Sequence, residues 1–201
     1  MIMTESRPLR VGVLALQGGV AEHLFMLRKV GTEAVEVRLP EHLDRLDGII
    51  LPGGESTAIG KLMVEYGLLE PLRARLQIGL PAYGTCAGMI LLARDLGGRQ
   101  QPLLGVMDIQ VRHNAFGSQR ESFEQDLVVE GLAGDPFPAV FIRAPAIART
   151  GPAVVTLARL ADGTPVAARQ DTLLASAFHP ELSDDPRVHR LFLGLIESRK
   201  N

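Results

Sequence analysis

The chain has one cysteine among 201 residues, two tyrosines and no tryptophan. A lone thiol excludes an internal disulfide, so nothing staples the fold, and a reducing, cytoplasmic setting is expected. At this length a chain buries about 70% of the surface its unfolded form exposes, and needs no staple. Basic and acidic residues nearly cancel, 21 against 23 for a formal net charge of -2, which leaves no basic stripe for nucleic acid. No apolar run approaches the ~20 residues of a membrane-spanning helix, and the opening MIMTESRPLR lacks a signal peptide's apolar core. None of the five histidines shares a zinc-like spacing with the cysteine, so no metal site is expected.

What is present alternates. RVGVLAL (Arg10–Leu16) is a β-branched apolar run that stops at Gln-Gly-Gly, the pattern of a buried strand. VAEHLFMLRKVG follows with Val20, Leu24, Leu27 and Val30 at helical spacing and Gly31 as the stop. EAVEVRL and DGIILPGG predict two more strands. STAIGKLMVEYGLLEPLRARLQIG predicts helix interrupted near Gly67 and Pro71, LPAYG a fourth strand, and AGMILLARDLG a helix with its own glycine stop. Such alternation argues for a parallel sheet covered on both faces. After Gly97 the pattern changes to short strands between turn residues: LLGVMDIQV, DLVVEGL, AVFIRA, AVVTLARL, TPVAARQ and TLLASAF, with Asp162-Gly163 as a hairpin signal. DDPRVHRLFLGLIESRK closes the chain as a helix with an apolar face of Val188, Leu191, Phe192, Leu195 and Ile196. The expected fold is a three-layer, flavodoxin-like α/β domain over 1–201. Its sheet is mostly parallel with helices on both faces, and further antiparallel strands lie in the second half. Residues 1–9 are expected to form a flexible tail.

The cysteine lies in Gly84-Thr85-Cys86-Ala87-Gly88, a G-x-C-x-G at a strand-to-helix junction. A nucleophile elbow needs a side chain held out on a tight turn, with glycines on either side so that backbones can approach. The N–H of Ala87 can face a developing oxyanion. A buried core cysteine is the competing reading of the pentapeptide, because free cysteine is among the most buried residue types. A base decides between them. SAFHPEL (Ser176–Leu182) ends the last strand. In an extended backbone His179 and Glu181 point the same way, about 6.6 Å apart along the strand, so the carboxylate can hold one ring nitrogen while the other reaches the sulfur. Pro180 disfavours helical geometry at His179. His23 and His189 fall on predicted helices and are expected to be solvated or half-buried, and His42 falls in a loop. LPGGEST (Leu51–Thr57) follows the third strand; Gly53-Gly54 can turn N–H groups into the crevice at the strands' carboxyl ends. A phosphate loop fails on spacing, since five residues separate Gly54 from Gly60 and Leu62 stands where Ser or Thr would hold magnesium.

Taken together, VGVLALQGGVAEH, LPGGESTAIGKL, GTCAGMILLA, HNAFGSQRESFE, FIRAPAI and SAFHPEL resemble the class I (triad) glutamine amidotransferases. More narrowly, they resemble the glutaminase subunit of the two-component pyridoxal 5′-phosphate synthase. The resemblance implies that Cys86 is the nucleophile, His179 the general base and acid, and Glu181 its orienter. It implies that Gly53, Gly54, Glu55, Ile142 and Arg143 line the glutamine pocket. Gly54, Ala87 and Gln17 would lie at the oxyanion site, Gln17 also near the interface with the synthase subunit. One position departs: where the family reads Arg-Asn at the pocket loop, this chain has His113-Asn114, an imidazole in place of an always-charged fork. Ser118 likewise stands where a basic residue is frequent.

The activity implied is hydrolysis of L-glutamine to glutamate and ammonia through a cysteine thioester, with ammonia passed to a barrel-shaped synthase subunit for pyridoxal phosphate synthesis. No metal or other cofactor would be held by this chain. Two readings stay open beside it: a stand-alone Cys-His-Glu amide or γ-glutamyl hydrolase, and a non-catalytic regulatory subunit.

Overall fold

The computed structural model describes residues 7–116 and 122–200. The first half builds strands β1 (Arg10–Leu14), β2 (Glu33–Val37), β3 (Gly48–Leu51) and β4 (Ala82–Thr85). Between them run helices α1 (Val20–Lys29), α2 (Ser56–Glu65) and α3 (Leu69–Gln77), and α4 (Ala87–Leu92) follows β4. β3 and β4 are buried throughout, as the unbroken apolar run GIIL and the small residues of AYGT require of strands covered on both faces. Each large apolar side chain buried there stabilises by about 1.5–3 kcal/mol. α2 and α3 part at Gly67, which has φ 66°, a left-handed turn that glycine adopts at little cost. Pro71 sits inside the first turn of α3, where its missing N–H breaks nothing.

The remaining strands are β5 (Ala93–Asp95), β6 (Met107–Arg112), β7 (Ser122–Leu127), β8 (Phe137–Ile142), β9 (Ala146–Thr150), β10 (Val155–Arg159), β11 (Pro165–Gln170) and β12 (Leu173–Ser176), before helix α5 (Arg187–Lys200). The main sheet has the order β10-β11-β12-β4-β3-β1-β2. β2, β1, β3, β4 and β12 run parallel, while β11 and β10 add an antiparallel margin. β5-β6-β9 and β7-β8 form two small sheets apart from it. This is the expected three-layer arrangement with antiparallel strands in the second half. The order reverses at β1 and β3, and the crevice above such a switch point is where sheets of this type bind ligands.

Four expectations shift. The helix predicted from Ala87 ends at Leu92, where Ala93 is already extended and β5 pairs with β6. The strand predicted over DLVVEGL lies earlier, as β7. There SFEQDL alternates cleanly and Phe123 stacks on Phe141 of β8 at 4.6 Å, while Val128 is left exposed. β9 was not predicted; AIART lacks alternation, and its pairing with β6 is a tertiary contact. Of the tail, residues 1–6 lie outside the described residues, whereas Arg7 pairs with Asp47 through both guanidinium nitrogens at 3.0 Å and the Leu9 carbonyl accepts from Glu33 N–H. Ser118 also lies outside the described residues. Among the described residues no helix is long and apolar enough to cross a membrane.

Candidate active site

β4 and β12 are adjacent parallel strands with Thr85 opposite Ser176. Their register brings the residues just beyond each strand to one edge: Cys86 after β4 and His179 after β12. Cys86 N–H donates to the Ser176 carbonyl at 2.8 Å, and His179 N–H to the Val140 carbonyl of β8 at 2.8 Å. Cys86 has φ 48° and ψ −103°, a conformation that costs a non-glycine residue about 1–3 kcal/mol and persists only where its surroundings over-determine it. The flanking glycines do so. A Cβ on Gly88 would lie 1.9 Å from the Leu51 carbonyl oxygen, and one on Gly84 2.5 Å from the Gly88 carbonyl. Helix and strand therefore touch backbone to backbone, and the thiol is turned out of the junction.

The predicted extended His-Pro-Glu segment is instead a tight turn. His179 caps a 3₁₀ turn, Pro180–Leu182, because proline is pre-set for the first position of a helical turn. The turn still places both side chains together, His179 Nδ1 lying 2.7 Å from Glu181 Oε1. Nδ1 being bound to the carboxylate leaves Nε2 for the sulfur, whose own hydrogen-bond contact is the Ile142 carbonyl oxygen at 4.0 Å. The Glu181 side chain is 1% exposed and that of His179 12%. Burial opposes a charged imidazole here, but the neighbouring Cys86 and Glu181 outweigh it and raise His179 to about 10. Burial likewise opposes the Glu181 carboxylate, and His23 and His179 together hold its pKa below the ordinary value.

Above the thiol opens a cleft of about 490 Å³. Its walls include Gln17, Gly54, Glu55, Ala87, His113, Ile142 and Arg143, together with Cys86 and His179. Nine of the residues expected at the site thus converge. Gly53 and Glu181 stand behind them: a Cβ on Gly53 would lie 2.3 Å from His179 Cε1. Gln17 Oε1 accepts from Glu55 N–H at 2.7 Å and Gly53 accepts from Gly19 N–H at 3.0 Å, so the loops after β1 and β3 are buttoned together. The Gly53–Gly54 peptide is trans, hence Gly54 N–H points away from that bond. The Glu55 carboxylate caps α2, accepting from Thr57 and Ala58 N–H at 3.0 and 2.7 Å. Those bonds, against the opposing effect of burial, hold it below the usual carboxylate range.

His113 does face the cleft. Burial and the nearby Arg99 charge depress its pKa, with Glu55 opposing them, and its Nε2 is buried with no partner among the described residues. Arg99 and Gln101, which the sequence reading missed, complete that wall. Ser56 and Thr57 hydroxyls donate to Gln101 Oε1 at 3.3 and 3.2 Å, and its Nε2 is buried without a hydrogen-bond partner. GGRQQP carries no motif, so only the fold could find them. His23 and His189, expected to be solvated or half-buried, are both fully buried. Here a signal was available: each lies three or four residues from apolar positions that face the core, His23 from Val20 and Leu27, His189 from Phe192 and Leu193. His42, expected in a loop, lies on a 3₁₀ turn and accepts from Arg38 N–H.

Residues 13–198 match the SNO glutamine amidotransferase family. The chain is 56% identical over 187 residues to the pyridoxal 5′-phosphate synthase subunit PdxT of Roseiflexus castenholzii, covering 92% of this chain and 99% of that one. It is 58% identical over 188 residues to the protein of the same name in Herpetosiphon aurantiacus, again covering 92% and 99%. A crystal structure of a glutamine amidotransferase superposes with a TM-score of 0.89 at 54% identity, over 93% of this chain and 98% of the other. At 16% identity, PurLQS from Thermotoga maritima shares the fold with a TM-score of 0.71. With an elbow cysteine, its histidine and a buried carboxylate at the carboxyl edge of this sheet, the chain belongs to the SNO glutamine amidotransferase family.

Proposed function

We propose that this chain is the glutaminase subunit of a pyridoxal 5′-phosphate synthase, hydrolysing L-glutamine at Cys86 and passing the ammonia to a barrel-shaped synthase subunit. The observation that carries the chemistry is the run from Cys86 through His179 to Glu181, with a 2.7 Å bond between the last two; the relatives' shared name supports the partner. The single thiol fits action in a reducing cytoplasm.

The sulfur of Cys86 attacks the side-chain carboxamide carbon, forming a C–S bond and placing negative charge on the amide oxygen. Gly54 and Ala87 N–H groups are assigned to that oxyanion, each such donor contributing about 3 kcal/mol in the transition state. Gln17 keeps the Gly53–Glu55 loop in place for it. With its proton affinity raised, His179 takes the Cys86 proton as the sulfur attacks and, as imidazolium, gives it to the departing ammonia. Neutral again, it takes a proton from water, which attacks the thioester and frees glutamate and Cys86. Glu181 fixes the ring and stabilises its charged form.

The outer wall supplies recognition of the amino-acid end. Arg143, Arg99 and the imidazole of His113 face the cleft with the Gln101 amide and offer donors for an α-carboxylate, while the apolar edge of Ile142 passes the side-chain stem. With His113 neutral near pH 7, positive charge at this wall comes from the arginines. Ammonia release from L-glutamine, measured on the full chain with and without the synthase subunit, tests the assignment. Turnover rising strongly with the partner supports the paired enzyme. Equal turnover in both would favour a stand-alone hydrolase, and none in either a regulatory subunit.

A further inference from the structure

Behind the catalytic carboxylate lies a chain of imidazoles that the reaction above does not use. His23, on α1, places Nε2 at 3.2 Å from Thr85 Oγ1 and 3.3 Å from Glu181 Oε2, and Nδ1 at 3.1 Å from His189 Nε2 of α5. Both histidines are fully buried. Among the described residues, Glu181 Oε2 makes no hydrogen bond and His189 Nδ1 has no partner.

These contacts favour one placement of the protons over the other. If His23 carried its proton on Nδ1, its Nε2 lone pair would face a carboxylate oxygen, and His189, accepting at Nε2, would bury an orphaned Nδ1–H. Both are costly for groups this deeply buried. With the protons moved, His189 Nε2–H donates to His23 Nδ1 and His23 Nε2–H is directed to Thr85 Oγ1 and the edge of Glu181. The unpartnered Nδ1 of His189 is then an acceptor, the less expensive group to leave unpaired. We propose that His23 and His189 form a buried brace in which this fixed tautomer presents an N–H to Glu181, making His23 a positioning residue for the carboxylate that orients His179. The brace rests on the reading of Cys86, His179 and Glu181 as a working triad.

The neighbourhood keeps the brace neutral. The ionisable groups facing His23 are Glu181, His179, Glu22 and His189; those facing His189 are His23 and Glu181. Burial is the largest influence on both rings and lowers both pKa values, that of His189 to about 3. A neutral donor holds the carboxylate without discharging it. A cationic one would compete with His179 for the same negative charge. The close approach of α1 to the site fits this role, since a Cβ on Gly19 would lie 3.2 Å from Glu181 Oε1.

The test uses the full chain with its synthase subunit and two readouts: the pH profile of Cys86 alkylation by iodoacetamide, and kcat against KM for L-glutamine. His23→Leu removes the N–H at similar bulk. It is expected to lower kcat about ten- to a hundredfold, the range typical of groups that orient a reacting residue from behind, with KM changed less than about twofold. Alkylation should slow and its pH midpoint move upward, because a less supported Glu181 holds the imidazolium less firmly. His23→Gln, which restores an N–H near the Nε2 position, should recover most of both. A folded His23→Leu protein with the wild-type alkylation profile and kcat would overturn the proposal and leave the two rings as packing. Where His23→Leu fails to fold, His189→Leu decides: a smaller change in the same direction supports the brace, an unchanged alkylation profile refutes it. Fast wild-type alkylation without any glutamine turnover would count against the glutaminase reading alone.

Discussion

Two carboxylates sit at opposite edges of the same sheet, and their surroundings differ in kind. Asp47, just before β3, is saturated: Arg7 reaches it with two nitrogens at 3.0 Å, Lys200 at 2.8 Å and the Arg10 N–H at 2.8 Å. Those bonds hold its pKa down against burial, and the group has nothing left to give. Glu181, at the carboxyl edge, pairs with no arginine or lysine among the described residues. One oxygen binds His179 and the other faces His23, so in the proposed reaction its charge serves a ring that gains and loses a proton. A structural carboxylate is tied to permanent cations, whereas a working one is left with a partner whose charge can change.

Breaking the working side should cost most. Glu181→Gln keeps the shape but cannot stabilise the imidazolium or fix the ring's tautomer, and about a thousandfold to ten-thousandfold loss of kcat is expected from steady-state ammonia release. Gly88→Ala attacks the scaffold under it: with the new Cβ 1.9 Å from the Leu51 carbonyl oxygen, the β3–α4 contact must open. A loss above about 3 kcal/mol in denaturant unfolding, with poor soluble yield, is expected.

Acid should sharpen the contrast. His189 takes a proton at about 6.5 when unfolded but only near 3 when folded. The unfolded state therefore binds more protons in between, and stability falls as pH drops through that window. His189→Gln should flatten the fall between pH 6.5 and 3 in urea titrations. His179 has the opposite sign, with a pKa raised to about 10. Its contribution is full below 6.5 and is lost as pH rises through 10. Asp47→Asn is the mild case, costing about 1–2 kcal/mol and leaving kcat within about twofold of wild type.

Much of this was legible beforehand because its causes are local. The parallel half followed from apolar runs alternating with helical spacing, and the elbow from two glycines beside one cysteine. The pairing of His179 with Glu181 is legible in the sequence, whereas the extended backbone it predicts between them is a 3₁₀ turn. Proline's fixed φ suits a 3₁₀ turn as well as a strand, and only the finished sheet end selects one. What stayed hidden depends on contacts between distant segments. Arg99 and Gln101 join the cleft because β5 leaves α4 early. His23 and His189 meet 166 residues apart, and polar residue type pointed to solvent where helical position pointed inward.

Glutamine hydrolysis at Cys86 requires a covalent intermediate on its sulfur. Acid-quenched wild-type chain, turning over L-glutamine with the synthase subunit present, should yield by peptide mass spectrometry a γ-glutamyl thioester on the fragment bearing Cys86, and Cys86→Ala should show neither adduct nor ammonia release. Undiminished glutamine hydrolysis by Cys86→Ala would contradict it.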